Sequence, residues 1–240
     1  MWLKFFLILV VSHSAFASQE FWGKKVHVGE GYARTFASLD KDGGLKEMGI
    51  IISHRALEGL GHHDKSYELP LPSKISIPPY KLVTLDWNPH GHEPENVYTL
   101  PHFDMHFYFI TKAQRDQISC TGTDAAVCTK EIPEKYLVSN YAPTPAGVPK
   151  MGWHWVDLLS GEFNGEKFTK TYIYGYYDSE PIFLEPMVTW EYLASKVNAS
   201  QSLRLPKSFP QSGHYPKKFK ISYDDHKKLH KIVLKHFKHY

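Results

Sequence analysis

Residues 101–109 read PHFDMHFYF, and the alternation in this stretch decides the fold. Phe103, Met105 and Phe107 are apolar, and His102, Asp104 and His106 take the positions between them. In a β-strand alternate side chains point to opposite faces. The stretch is therefore expected to be a strand with one apolar face and one face carrying two imidazoles and a carboxylate. Same-face neighbours along a strand sit about 6.5–7 Å apart, so one ion would take two of the three and reach elsewhere for the rest. A His-x-Asp pair plus a distant His is the ligand set of a facial-triad site. The competing reading is a hydrogen-bonded His/Asp network inside a polar cavity.

Strand signals recur on both sides. GYARTFASL and LKEMGIIIS flank the turn DKDGG and suggest a hairpin. KLVTLDW is a strand and NPHGHEPENVY a loop. HRALEGLG, KAQRDQI and TWEYLASKV are short and helix-prone, and YELPLPSKISIPPY is a proline-held crossing segment. KFTKTYIYGYYD and PIFLEPMV read as strands joined by a tight turn. The chain is expected to be α+β and β-rich, an antiparallel barrel or sandwich with short peripheral helices. One domain spans 18–205.

Other groups complement the strand. In NPHGHEPE, His90 and His92 flank Gly91 ahead of Glu93, an order only loosely like the metal motif of cupins, with a different spacing to the Glu. His92 is the stronger candidate, and an exposed turn is the alternative. GWHWVD places His154 and Asp157 beside tryptophans; His154 is either a core residue or the distant ligand. Glu185, in FLEPM, follows an apolar run, and a buried carboxylate is costly unless paired or metal-bound. It is a candidate catalytic base or a structural partner of a His or of Arg34. The metal candidates are thus His92, His102, Asp104, His106 and His154, for a divalent Zn, Fe or Mn ion. No glycine-rich phosphate loop, G-x-S-x-G elbow, His-Glu-x-x-His or Cys-x-x-Cys occurs.

The chain begins MWLKFFLILVVSHSAFASQ, which reads as a signal peptide over 1–17 with the mature chain starting near Ser18. An exported protein, periplasmic or extracellular, is expected. Export favours a Cys120–Cys128 disulfide over free thiols or a metal pair. Net charge is +3, but eight lysines against Asp224 and Asp225 put +6 after Pro216. Residues 206–240 are therefore read as a basic extension with a helix from about Asp224. Leu229, Ile232, Val233 and Phe237 would form its apolar stripe. Such a helix would lie on an anionic membrane surface or pack on the body. No nucleic-acid partner is expected.

YARTFASLDKDGGLKEMGI, LDWNPHGHEPENVYTLPHFDMHFYFI, MGWHWVDL and YIYGYYDSEPIFLEPMVTWEYL together resemble a family of uncharacterised, mostly exported bacterial domains. That family is typified by a Thermus protein controlled by an extracytoplasmic-stress sigma factor. The resemblance covers roughly residues 29–195, and His92, Pro94, His102, Asp104, His106, His154, Asp157, Glu185, Pro186 and Met187 fall in its motif blocks. It implies a β-rich domain that forms homo-oligomers, and it supplies no reaction. Two functions follow: a metal or small-ligand site in a β-rich cavity, enzymatic or not, or a non-catalytic oligomeric envelope or stress protein.

Overall fold

Period-two alternation runs through a chain whose computed structural model describes residues 19–240. The expected signal peptide and its cleavage point lie outside the described residues. Strands β1 (Gln19–Trp22), β2 (Val26–Val28), β3 (Gly31–Leu39) and β4 (Leu45–Ser53) open a first sheet. The second sheet is built from β5 (Lys65–Leu69), β6 (Leu82–Asn88), β7 (His102–Tyr108), β8 (Tyr141–Pro143), β9 (Trp153–Asp157), β10 (Lys170–Tyr177) and β11 (Glu180–Thr189). The chain then returns to the first sheet with β12 (Ala199–Ser202), β13 (His214–Asp224) and β14 (Leu229–His239). Three short helices, α1 (Lys112–Arg115), α2 (Asp124–Cys128) and α3 (Trp190–Ala194), lie between strands. All strand pairs are antiparallel, in the orders β1-β3-β4-β14-β13-β12, with β2 also on β3, and β5-β6-β7-β11-β10-β9-β8.

The two sheets share one apolar cluster. Phe103, Met105 and Phe107 of β7 join Val83 and Leu85 of β6 and Tyr172, Tyr174 and Tyr176 of β10. Met48, Ile50, Ile52, Phe219, Ile221, Ile232 and Leu234 enter it from the first sheet. Each such side chain contributes roughly 1.5–3 kcal/mol when fully buried. Two of these tyrosines keep their hydroxyls satisfied: Tyr174 donates to Arg204 O at 2.5 Å and Tyr176 to Tyr136 O at 2.8 Å. The hairpins expected from GYARTFASL/LKEMGIIIS and from YIYGYYD/PIFLEPMV are both present.

The expected C-terminal helix is not present; residues 214–239 form the β13–β14 hairpin, and β14 lies between β4 and β13. Asp224, read as a helix N-terminal charge, instead caps the hairpin turn. Its Oδ1 accepts from His226 N at 3.1 Å and Lys227 N at 3.0 Å. His230, Ile232 and Leu234 are buried with period two, while Leu229 and Val233 pack on the opposite face with Phe36 and Ile51. The same apolar residues satisfy a helical and a strand pattern, and pairing with β4 selects the strand. The amphipathic membrane helix falls with it.

Cys120 and Cys128 form a disulfide across α2, with Cα atoms 5.3 Å apart. Among the described residues no helix is long and apolar enough to cross a membrane.

Candidate metal centre

The polar face of β7 points away from the apolar cluster, yet it is buried. His102 and His106 are 0% exposed and Asp104 4%. Directly across on β6, Asn88 pairs with His102, Asp86 with Asp104 and Thr84 with His106. On the other flank β11 pairs Phe183 with Tyr108 and Met187 with Asp104, and this register sets Glu185 against His106. The ladder is interrupted at Glu185-Pro186, where proline has no N–H to give. His154 comes from β9, two strands beyond. The loop between β6 and β7 folds back so that His92, held by its N–H on Tyr98 O at 3.0 Å, returns over Asp104.

These residues fall into two clusters. In the first, His92 Nε2 lies 3.2 Å from Asp104 Oδ2, and His102 Nε2 lies 3.0 Å from Asp104 Oδ1. Asn88 donates to Asp104 Oδ2 at 2.7 Å. In the second, His106 Nε2 lies 3.4 Å from Glu185 Oε1, and His154 Nε2 lies 3.6 Å from Glu185 Oε2. One donor atom from each residue of a cluster lies within 4.8 Å of the others.

Hydrogen bonds at the far side of each ring fix which nitrogen faces inward. His102 Nδ1 donates to Leu100 O at 2.6 Å and His92 Nδ1 to Glu93 O at 2.7 Å. His106 Nδ1 donates to Asp86 Oδ2 at 2.8 Å, and Asp86 also accepts from Thr84 Oγ1 at 2.8 Å. An oxygen acceptor obliges Nδ1 to carry the hydrogen. In a neutral ring Nε2 then presents a lone pair, and in all three residues it presents it to a carboxylate. That contact is favourable only if a proton or a cation stands between. Among the described residues Asp104 Oδ1, His106 Nε2 and Glu185 Oε2 find no hydrogen-bond partner, the His102–Asp104 approach being off a hydrogen-bond direction.

The electrostatics follow from this crowding. Burial alone would lower the His92 imidazole, but the hydrogen bond and charge of Asp104 outweigh it and hold it up at about 9. Burial likewise opposes His106, which Glu185 and Asp86 raise to about 9. Burial of Asp104 is overcome by His102 and His92, which keep its carboxyl well below the usual range. Glu185 is pushed up to about 8 by burial, partly offset by His106. His154 is pushed down to about 3 by burial and by the neighbouring His106.

A cleft of about 780 Å³ opens onto both clusters. Asp86, Asn88, His92, Asp104, His154 and Glu185 line its floor, and among the described residues no lysine or arginine lines it. Among the residues lining the cleft, imidazoles are thus the only groups able to carry positive charge beside the three buried carboxylates. Pro94, Tyr98, Pro145, Ala146, Val148 and Met151 supply apolar walls.

The five metal candidates and Glu185 therefore all meet at this face. His90 does not: it turns outward, 3.2 Å from His62 O. Asp157 pairs with Arg204 and caps Leu159 N at 2.9 Å, away from the clusters. Of the two alternative partners weighed for Glu185, a His or Arg34, the histidines are beside it, while Arg34 stands on β3 of the other sheet over the Trp22 ring. Asp86 and Asn88 were not singled out from the sequence, although Thr84-x-Asp86-x-Asn88 repeats the polar alternation of β7 inside an apolar strand. No family model, curated protein or solved structure matches the chain.

Proposed function

We propose that the protein binds a divalent transition-metal ion at His92, His102 and Asp104, with open coordination positions facing the cleft. The observation that carries this is the shared ring orientation: both histidines set Nδ1 against a backbone carbonyl and aim Nε2 at the two oxygens of Asp104. Two imidazoles and one carboxylate suit Zn, Fe or Mn. Asn88 braces the carboxylate as outer partners of metal ligands do. The motif blocks behind the resemblance to exported bacterial domains are also those that build the site. The disulfide fits an oxidising compartment. Two sheets facing across one apolar cluster favour a sandwich over a barrel.

The second reading is a structural hydrogen-bond network. It draws on Asn88 and Thr84, which already satisfy oxygens of Asp104 and Asp86. The test is to load the tag-free chain from Ser18 with Zn²⁺ or Co²⁺, dialyse, and count metal per chain beside His92→Gln. His92 has a side chain 39% exposed, so its loss leaves the fold standing. Retained metal that falls by one ion per chain in the variant supports binding at this cluster. A wild-type chain that keeps no metal and gains no thermal stability from it leaves the network reading.

A further inference from the structure

We infer that a second divalent ion binds at His106, His154 and Glu185, so that the cleft floor is a two-ion centre and Glu185 is a ligand rather than a free base. This rests on the reading of His92, His102 and Asp104 as the first site.

The inner cluster has the stronger geometric case for an absent centre. Donor atoms bound tetrahedrally at about 2.0–2.1 Å stand about 3.3–3.4 Å apart. His106 Nε2 and Glu185 Oε1 are separated by 3.4 Å, and His154 Nε2 and Glu185 Oε2 by 3.6 Å. These gaps are longer than an ordinary N–H···O bond, of about 2.9–3.0 Å. His106 Nε2 and Glu185 Oε2 are left without hydrogen-bond partners in residues that are 0% and 1% exposed. Leaving two such atoms unmatched is costly, because a buried polar group forfeits its hydration.

The surroundings hold the donors in place without filling the gap. Asp86 takes the Nδ1 hydrogen of His106, the carboxylate–histidine arrangement that orients a metal ligand and makes it more basic. Phe183 sets its ring edge-on to both imidazoles, with centroids 4.8 Å from His106 and 5.4 Å from His154. His154 and Glu185 line the cleft, which gives an ion its entry and leaves a position for water or a substrate oxygen. Two nitrogens and a carboxylate again suit Zn, Fe or Mn.

The test counts ions in the full tag-free chain from Ser18, loaded with Co²⁺. Absorption spectra report the coordination, and near-ultraviolet circular dichroism monitors the fold. Wild type, His92→Gln, His154→Gln and Glu185→Gln are compared. His154 lies on a strand near the sheet edge and serves if the Glu185 variant fails to fold. The expected result is two Co²⁺ per wild-type chain, one in His154→Gln and one in His92→Gln, with different visible spectra. One ion in wild type that His154→Gln retains and His92→Gln loses overturns the inner site and leaves the first standing. One ion that His154→Gln loses and His92→Gln retains removes the first site and overturns the two-ion centre, leaving the inner site as a single-ion site. No bound ion in any chain overturns both.

Discussion

The ring of Phe183 lies across the backbone of Gly175, so that a Cβ at Gly175 would stand 2.0 Å from the ring. The two residues face each other on β10 and β11. Glycine here clears a berth for the ring that flanks His106 and His154. Gly175→Ala is expected to push the ring off both imidazoles and to destabilise the fold by about 1–3 kcal/mol through overpacking. Urea unfolding with and without Zn²⁺ checks this. The variant should also lose much of any metal-induced stabilisation, and an unchanged unfolding midpoint would show that the ring has room to move.

Among the proposed ligands, Asp86 hydrogen-bonds His106, taking its Nδ1 hydrogen at 2.8 Å. Asp86→Asn keeps an oxygen for the Nδ1 hydrogen but removes the charge that makes Nε2 basic. Loss of such an outer partner typically weakens metal affinity about 10- to 100-fold. Competition with a chromophoric chelator should show this loss for one ion only. Equal weakening of both would mean that Asp86 acts on the cleft as a whole.

Two histidines should contribute to acid sensitivity: His154 in the cleft, held down at about 3, and His230 on the other sheet, which can be tested apart from it. His230 is 1% exposed, packed on Tyr223, with Nε2 3.0 Å from His54 Nδ1. Burial, then His54 and Lys196, hold its imidazole down at about 4. An unfolded histidine titrates near 6.5, so between about pH 6.5 and 4 the unfolded chain binds a proton that the folded chain refuses. Stability is fully present above that window and falls through it, by roughly 3 kcal/mol in all. Denaturant unfolding from pH 7 to 4 should show a shallower decline in His230→Leu than in wild type. Parallel declines would place the acid response elsewhere.

The disulfide backs one wall of the cleft. A Cβ on Gly147 would meet Cys128 Sγ at 2.1 Å, and Cys120 Sγ sits 3.4 Å from Val148 O. Replacing both cysteines with serine should cost about 2–3 kcal/mol on the loop-entropy argument. It should also loosen the segment from Thr144 to Val148. Hydrogen exchange at these amides reads that directly, with faster exchange expected there than in β7.

Truncation after Pro216 should abolish folding. It removes β14, which is hydrogen-bonded on both sides, and uncovers Ile50 and Ile52. Calorimetry is expected to show no cooperative transition. A well-folded truncated chain would mean that β1–β4 close without their central neighbour.

What the sequence disclosed depended on range. The hairpins and the polar face of β7 are local patterns with period two, legible because each strand has one buried apolar side. His92, His154 and Glu185 stand out as polar groups in unusual settings, but their sorting into two clusters depends on the order β6-β7-β11-β10-β9, which no local pattern encodes. Asp86 passed as an ordinary strand residue for the same reason. In the tail, Leu229, Ile232, Val233 and Phe237 suit either period, and only the distant strand β4 decides between them. Arg34 and a His are equal alternatives for Glu185 on sequence alone, and only the sheet order separates them, sending Arg34 and Glu185 to different sheets.

The alternation along β7 also bears on how faithfully the chain can fold. A strand displaced by one residue turns every side chain to the opposite face. For β7 that error would drive His102, Asp104 and His106 into the apolar cluster and turn Phe103, Met105 and Phe107 outward. Unpaired buried charges are among the most costly defects a fold can carry. The residues of this buried polar face therefore proofread the register of the sheet, and the slipped pairing excludes itself whether or not an ion is bound.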